Sequence, residues 1–482
     1  MFAGTGSDVG KSVLAAAFCR IFREDGFHPA PFKSQNMSLN SFVTSNGGEI
    51  GRAQAVQAEA CGIDCHTDMN PVLLKPSSDK ASQVILNGKV FGNYSAGSYF
   101  RGEIKEQLFE EAMKAFHRLS EKYNPMVLEG AGSIAELNLK NNDIANMRVA
   151  MATGSRTILV ADIERGGVFA SVYGSVQLLP PEERRLIKGI IINKFRGDIR
   201  LFDEGKKIIE KITGIPVLGI IPAFNHIRIE EEDSVSLAQK ATFANDNKIN
   251  VAVVLLRRLS NFTDFSRLEH DERVHLYYTN NRTELRKADI IILPGSKNTI
   301  ADLIGLRENG VATELSQLAR SGKTVIGICG GYQMMGKRIE DPYGVEGAAE
   351  AVPGLDILPV TTILEKEKQT VRSSFYFKNY DEVCSGYEIH MGKSCFAPKA
   401  VSLNRLAGGK TEGCFLNGNI WGSYMHGILD NPVVIEDLLS PFGKEKHSTE
   451  NYTEFKQRQY RLLAAHVRKN VDMEAIYKIL EE

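Results

Sequence analysis

Nine residues near the start, Gly4-Thr5-Gly6-Ser7-Asp8-Val9-Gly10-Lys11-Ser12, limit what this chain can become more than any other stretch. Glycines in such a run let consecutive backbone N–H groups turn toward one anionic centre. The helix-forming run 13–22 behind them adds the positive end of a helix dipole. Lys11 then reaches the outer phosphates, and the Ser12 hydroxyl suits Mg²⁺. Gly4, Thr5, Gly6, Gly10, Lys11 and Ser12 are therefore the candidate ATP cradle. Five residues separate Gly4 from Gly10-Lys11-Ser12, one more than in the common spelling of this motif. Only Met1, Phe2 and Ala3 precede it, so most of the buried strand that normally delivers such a loop is expected to be missing.

A phosphate loop needs a parallel sheet behind it, and the first half supplies apolar runs at 29–32, 125–128, 157–161, 189–192 and 217–221. The first four are followed by polar residues, the pattern of a doubly wound α/β domain with its ligands at the carboxyl ends of the strands, and the last closes the series before Pro222. Glu129 follows one run and is a candidate Mg²⁺ ligand, with Glu49 a further one. Asn193 follows another, where it could read a purine ring. Lys33, Arg52 and Lys75 are the cations first suspected of holding substrate carboxylates, on position and charge alone. Residues 102–123 carry Ile104, Leu108, Ala112, Ala115 and Leu119 at helical spacing and predict an amphipathic surface helix.

A chain of 482 residues exceeds one ordinary core, and a formal charge of -1 gives nucleic acid or an anionic membrane no net field to answer. The seven cysteines are odd in number and scattered, which points to reduced thiols in a cytoplasm. Cys61, Cys65 and His66 have neither haem nor zinc spacing. No apolar run reaches membrane-spanning length, so no membrane contact is expected. The stretch 229–250 turns polar and loses all apolar period, dividing the chain into an ATP-dependent domain at 1–230, a linker at 231–249 and a second domain at 250–482.

The second domain opens with strand-like runs at 250–256 and 289–293. The run 324–326 then leads into Gly327-Ile328-Cys329-Gly330-Gly331-Tyr332-Gln333. A strand that stops at a reactive side chain, glycines that permit a strained turn, and a helix behind it make a nucleophile elbow around Cys329. The backbone N–H of Gly330 and one from the Gly295 loop could meet an oxyanion. A cysteine nucleophile also needs a base. His426, in Tyr424-Met425-His426-Gly427, is the candidate, with His390 its rival. Residues 452–467 predict an amphipathic helix packed on this second domain.

The Gly-x-Cys-x-Gly-x-Gln string with its downstream histidine resembles the class I glutamine amidotransferases, which implies a flavodoxin-like α/β domain and adds Gln333 to Gly295 and Gly330 around the bound glutamine. The first half resembles dethiobiotin synthetase, whose phosphate loop shares the five-residue spacing. Few families fuse the two. Gln35-Asn36-Met37-Ser38, Gly48-Glu49-Ile50-Gly51-Arg52, Asp68-Met69-Asn70-Pro71, Ala161-Asp162-Ile163-Glu164-Arg165-Gly166-Gly167 and Gly386-Tyr387-Glu388-Ile389-His390-Met391-Gly392 resemble the cobyric acid synthases of cobalamin biosynthesis over nearly the whole chain. That resemblance implies ATP, Mg²⁺, glutamine as nitrogen donor, and a corrinoid substrate amidated at its b, d, e and g carboxylates. Full triads carry Glu two residues after the histidine, whereas Ile428 stands here, so another group or the backbone must orient His426. Two alternatives stay open: the related a,c-diamide synthases, and a P-loop switch ATPase with an inert amidotransferase-like domain.

Overall fold

A computed structural model describes the chain at residues 1–482 except 79–80, 101–103, 231–236, 238–239, 348–349, 398–399 and 444–450. Much of the proposed 231–249 linker therefore lies outside the described residues, as does the start of the helix predicted at 102–123, which is described as Lys105–Ser120.

The first domain is built on parallel strands. Phe2–Gly4, Thr157–Asp162, Ile187–Phe195 and Val217–Pro222 lie side by side in that order, and Ala30–Phe32 pairs with Met126–Leu128. A bridge from Phe2 to Glu129 joins the two groups. The first strand is three residues long, yet it holds its place. Phe2, Ala3 and Gly4 pair in register with Ile158, Leu159 and Val160, and the Phe2 ring lies 4.8 Å from that of Phe18 on the helix Lys11–Glu24. One backbone ladder, the bridge to Glu129 and a buried aromatic pair substitute for length.

The polar stretch after Ala30–Phe32 contains more order than its composition suggests. Gln35–Met37 is a strand that runs parallel to Val72–Ser78, which continues antiparallel through Ala81–Leu86 and Lys89–Ser95. Ser41–Val43 and Glu49–Gly51 form a separate hairpin leading into the helix Arg52–Cys61.

In the second domain Val274–Thr279, Ile249–Val254, Ile290–Leu293, Thr324–Ile328 and Ile420–Ser423 form a parallel sheet in that order. An antiparallel extension follows, dominated by a ribbon of Val360–Phe377 and Val383–Phe396. The C-terminal helix, predicted to pack on this domain, instead returns to the first. Tyr460, Leu463, Ala464 and Val467 of Tyr452–Asn470 are buried in one cluster with Phe2, Leu14, Phe18 and Val160. Amphipathicity fixes which face of a helix is buried but not what covers it.

Candidate functional site

The phosphate loop and the residues at its foot form one hydrogen-bonded unit. Gly10 has φ +99°, and a Cβ there would lie 2.1 Å from the Asn193 side chain, so only glycine fits. Asn193 Nδ2 donates to Val9 O at 2.9 Å. The side chain expected against a purine therefore braces the loop. Lys11 Nζ donates to Gly6 O (2.8 Å) and Gly132 O (3.0 Å), and Ser12 Oγ to Glu129 Oε1 (2.7 Å). Glu129 is buried and also accepts from Lys33 Nζ (2.7 Å) and Gln57 Nε2 (2.6 Å). Burial alone would raise its pKa, but Lys33 and these donors hold it below the usual carboxylate range. Ser12 and Glu129 are adjacent hard oxygen donors, the set Mg²⁺ accepts beside phosphate oxygens and water.

The cavity around this unit has a volume of about 1010 Å³ and is lined by Lys11, Lys33 and Glu129 in its depth and by Lys105, Lys140 and Arg148 among others. Two of the cations proposed for substrate are committed elsewhere. Arg52 Nε donates to Glu230 Oε2 at 2.7 Å and Lys75 Nζ to Glu49 Oε1 at 2.6 Å, each pair buried. Lys33 faces the cavity but is bound to Glu129. Both oxygens of Glu49, the further metal candidate, receive ammonium groups, those of Lys75 and Lys368. A charged side chain in a polar sequence reads as a ligand contact until its buried partner, distant in the chain, is known.

The elbow is present. Thr324–Ile328 ends at Cys329, whose φ of +52° and ψ of -108° place a non-glycine residue in a strained conformation ahead of the short helix Gly330–Met335. Cys329 is 7% exposed, and its thiol lies 3.6 Å from Ile389 O. Gly330 abuts the loop that begins at Gly295, and a Cβ on it would lie 2.8 Å from Ser296 N. The Ser296 amide nitrogen thus lies close against the first residue of the elbow helix. Gln333 is buried, accepting from Thr299 Oγ1 at 3.1 Å and reaching Tyr424 Oη at 3.4 Å, so it ties the elbow helix to neighbouring elements.

His426 is 2% exposed and stacks on Tyr387, with ring centroids 5.4 Å apart. Its Nδ1 donates to Asp264 Oδ2 at 2.7 Å, while Asp264 Oδ1 accepts the Gly427 N–H at 3.1 Å. Asp264, on the turn Phe262–Phe265, is thus the orienting group that position 428 lacks. Nothing near Asp264 in the sequence signals this, because the partner is 162 residues away. Burial would lower the His426 pKa, but the Asp264 carboxylate and the Cys329 sulfur outweigh it and push the imidazole up to about 10. His390 is held differently, between Glu388 Oε2 (3.0 Å) and Gly392 O (2.7 Å) and flat against Tyr424. The geometry favours His426 over His390.

A P-loop nucleotide domain carrying an acid at a strand end, joined to a domain with a cysteine elbow and an Asp-braced histidine, defines a glutamine-dependent, ATP-using amide-forming ligase. Residues 1–237 match the CobQ/CobB/MinD/ParA nucleotide binding domain, and residues 250–434 the CobB/CobQ-like glutamine amidotransferase domain. The chain is 60% identical to the cobyric acid synthase of Bacteroides fragilis, 59% to that of Parabacteroides distasonis and 46% to that of Syntrophobacter fumaroxidans, in each case over 100% of this chain and 98% of the relative. It belongs to the cobyric acid synthase family. Among the described residues no helix is long and apolar enough to cross a membrane.

Proposed function

We propose that the protein converts adenosylcobyrinic acid a,c-diamide to adenosylcobyric acid in the cytoplasm, amidating the b, d, e and g carboxylates with nitrogen from glutamine. The observation that carries this reading is the Cys329–His426–Asp264 constellation in one chain with the P-loop unit, within a family whose relatives are cobyric acid synthases. Seven free cysteines suit a reducing compartment.

Cys329 attacks the side-chain amide carbon of glutamine, and the resulting oxyanion lies toward the Gly330 and Ser296 amides. His426, protonated by virtue of Asp264, is the electrostatic partner of a thiolate and gives its proton to the departing nitrogen, releasing ammonia and leaving a thioester. Water then adds, with His426 taking its proton, and expulsion of the sulfur releases glutamate. In the other domain a substrate carboxylate oxygen attacks the γ-phosphorus of ATP and ADP leaves, giving an acyl phosphate. Lys11 stabilises charge on the transferring oxygens. Ser12 and Glu129 would hold Mg²⁺, which neutralises phosphate charge when bound. Ammonia attacks the acyl carbon and phosphate departs. Lys105 and Arg148, on the cavity wall, replace Arg52 and Lys75 as the cations for the remaining carboxylates.

Mass spectrometry of the corrinoid product tests the reading, because each amide formed lowers the mass by about 1 Da. Four successive losses support it; losses confined to a fully acidic corrinoid would indicate a,c-diamide formation instead. Cys329→Ala is expected to abolish glutamine-dependent amidation while sparing amidation supported by ammonium chloride, and Lys11→Ala to remove both. Normal use of glutamine by Cys329→Ala would show that another residue is the nucleophile.

A further inference from the structure

The phosphate loop carries an acid of its own, a residue out of place among groups that bind anions. Asp8 stands between Gly6 and Gly10, in the stretch that makes this loop one residue longer than the common spelling. It has φ +57°, a left-handed conformation that aspartate tolerates better than most side chains. A carboxylate among N–H groups aimed at phosphate opposes the charge that the loop is built to hold. Its partner is Arg165, whose Nη2 donates to Asp8 Oδ2 at 3.4 Å.

Arg165 belongs to the turn that follows the strand Thr157–Asp162, and that turn is fastened to the phosphate loop. Asp162 Oδ1 accepts the Glu164 amide at 2.7 Å, and the Gly166 amide donates to Ile163 O at 3.1 Å. Asn193 joins the two loops, since its carbonyl accepts the Ile163 amide at 3.2 Å while its side chain donates to Val9 O at 2.9 Å. Gly166 and Gly167, with φ of +78° and +71°, then turn the chain into the helix Val168–Gln177. Asp8 and Arg165 both line the nucleotide cavity. Other cations on its wall pair away from the loop: Lys140 with Glu183, Arg148 with Glu106 and Arg196 with Glu164. Lys33 is held in its buried pair with Glu129.

We propose that Arg165 leaves Asp8 for the transferring phosphoryl group, so that it and Lys11 together stabilise the transition state of carboxylate phosphorylation. The inference rests on the reading of the first domain as the half that activates substrate carboxylates. As a carboxylate oxygen forms its bond to the γ-phosphorus, the bond to the ADP oxygen breaks and its electron pair departs with ADP, leaving charge spread over three equatorial oxygens. Arg165 donates N–H groups to that charge and transfers no proton. Its guanidinium is a planar fork that matches phosphoryl oxygens. The side chain is 64% exposed, and an ion pair so exposed contributes little to the fold, so one anion is readily exchanged for another. A triphosphate carries more charge than one carboxylate and draws the guanidinium off Asp8. Before that exchange the pair neutralises the acid within the cradle.

The test uses the full-length protein with ATP, the corrinoid diamide and ammonium chloride, which separates carboxylate activation from Cys329, and in parallel the binding of a non-hydrolysable ATP analogue. Arg165→Ala is expected to lower kcat by about 10²-fold or more while the analogue binds within about threefold of the parent. Guanidinium chloride at non-denaturing concentration should raise the rate of Arg165→Ala about tenfold and leave the parent unchanged, a partial rescue because the free ion is not tethered. Asp8→Asn removes the same pair but keeps the guanidinium, and is expected to bind the analogue at least as tightly as the parent. A kcat for Arg165→Ala within about threefold of the parent overturns the proposal. So does an equal loss of kcat in Arg165→Ala and Asp8→Asn without guanidinium rescue, which would make the pair a brace for the loop. A raised KM for the corrinoid with kcat unchanged overturns it too, and would make Arg165 a contact for a substrate carboxylate. Failure of the underlying reading looks different: the parent would form no ADP when supplied with the corrinoid diamide and ammonium chloride.

Discussion

At the scale of single residues the decisive contact is Asp264 to His426. The carboxylate fixes the imidazole through Nδ1, leaving Nε2 for the sulfur and the substrate, and stabilises the charge that His426 acquires. Asp264→Asn is expected to lower glutaminase kcat by about 10²-fold or more while leaving ammonium-supported amidation in place. A second readout separates positioning from mere packing. Because the folded pKa of His426 is raised to about 10, its protonation stabilises the fold fully below the unfolded value of about 6.5, and that contribution is lost as pH rises through about 10. The stability difference between the parent and Asp264→Asn, from urea unfolding at several pH values, should be largest at acid-to-neutral pH and shrink toward pH 10. A difference independent of pH would mean that Asp264 only fills space. Cys329 was legible in the sequence because an elbow is local, with its strand, nucleophile and glycines contiguous. The orienting acid was not legible, since one aspartate among many carries no mark until the fold brings it to the histidine.

Among the elements, the helix Tyr452–Asn470 belongs to the domain at the other end of the chain. Its Lys456 and Tyr460 bind Glu59, its Tyr452 hydroxyl donates to Glu230 at 3.0 Å, and its Gln459 accepts the Arg228 amide at 2.8 Å. Leu463 is fully buried against the helix that follows the phosphate loop. Leu463→Ala should cost about 2–5 kcal/mol, as other large-to-small core changes do. Thermal inactivation should strike ATP-dependent, ammonium-supported amidation before glutaminase activity. The reverse order would indicate that the helix chiefly supports the second domain. The apolar spacing announced a helix with one buried face, but the same spacing serves either domain. The hairpin at 41–51 was similarly hidden: its strands are three residues each and its polar composition resembles a loop.

For the whole molecule the issue is how two catalytic centres act as one. The 40–52 segment of the first domain is one of the parts that reach the second. Asn40 Oδ1 accepts the Phe262 amide at 2.9 Å and Asn261 Oδ1 accepts the Ser41 amide at 3.1 Å, a reciprocal clasp two residues before Asp264. The Tyr387 ring, which covers His426, lies 4.8 Å from Phe42. Asn40→Ala strips a buried amide of its acceptor, at a cost of about 1–3 kcal/mol. It should reduce glutaminase kcat more than ammonium-supported amidation, because the loosened turn is the one that carries Asp264; equal losses in both assays would argue that the clasp merely joins the domains. The sequence by itself determined the chemistry of each half: a phosphate cradle and a nucleophile elbow are runs of adjacent residues whose backbone demands are written in their glycines. Tertiary structure alone decided which charges serve ligands and which serve each other. Lys75, Arg52 and Glu49 are ordinary polar residues along the chain, and only burial, which makes an unpaired charge intolerable, forces them into ion pairs, two within the first domain and one, Glu49 with Lys368, between the domains.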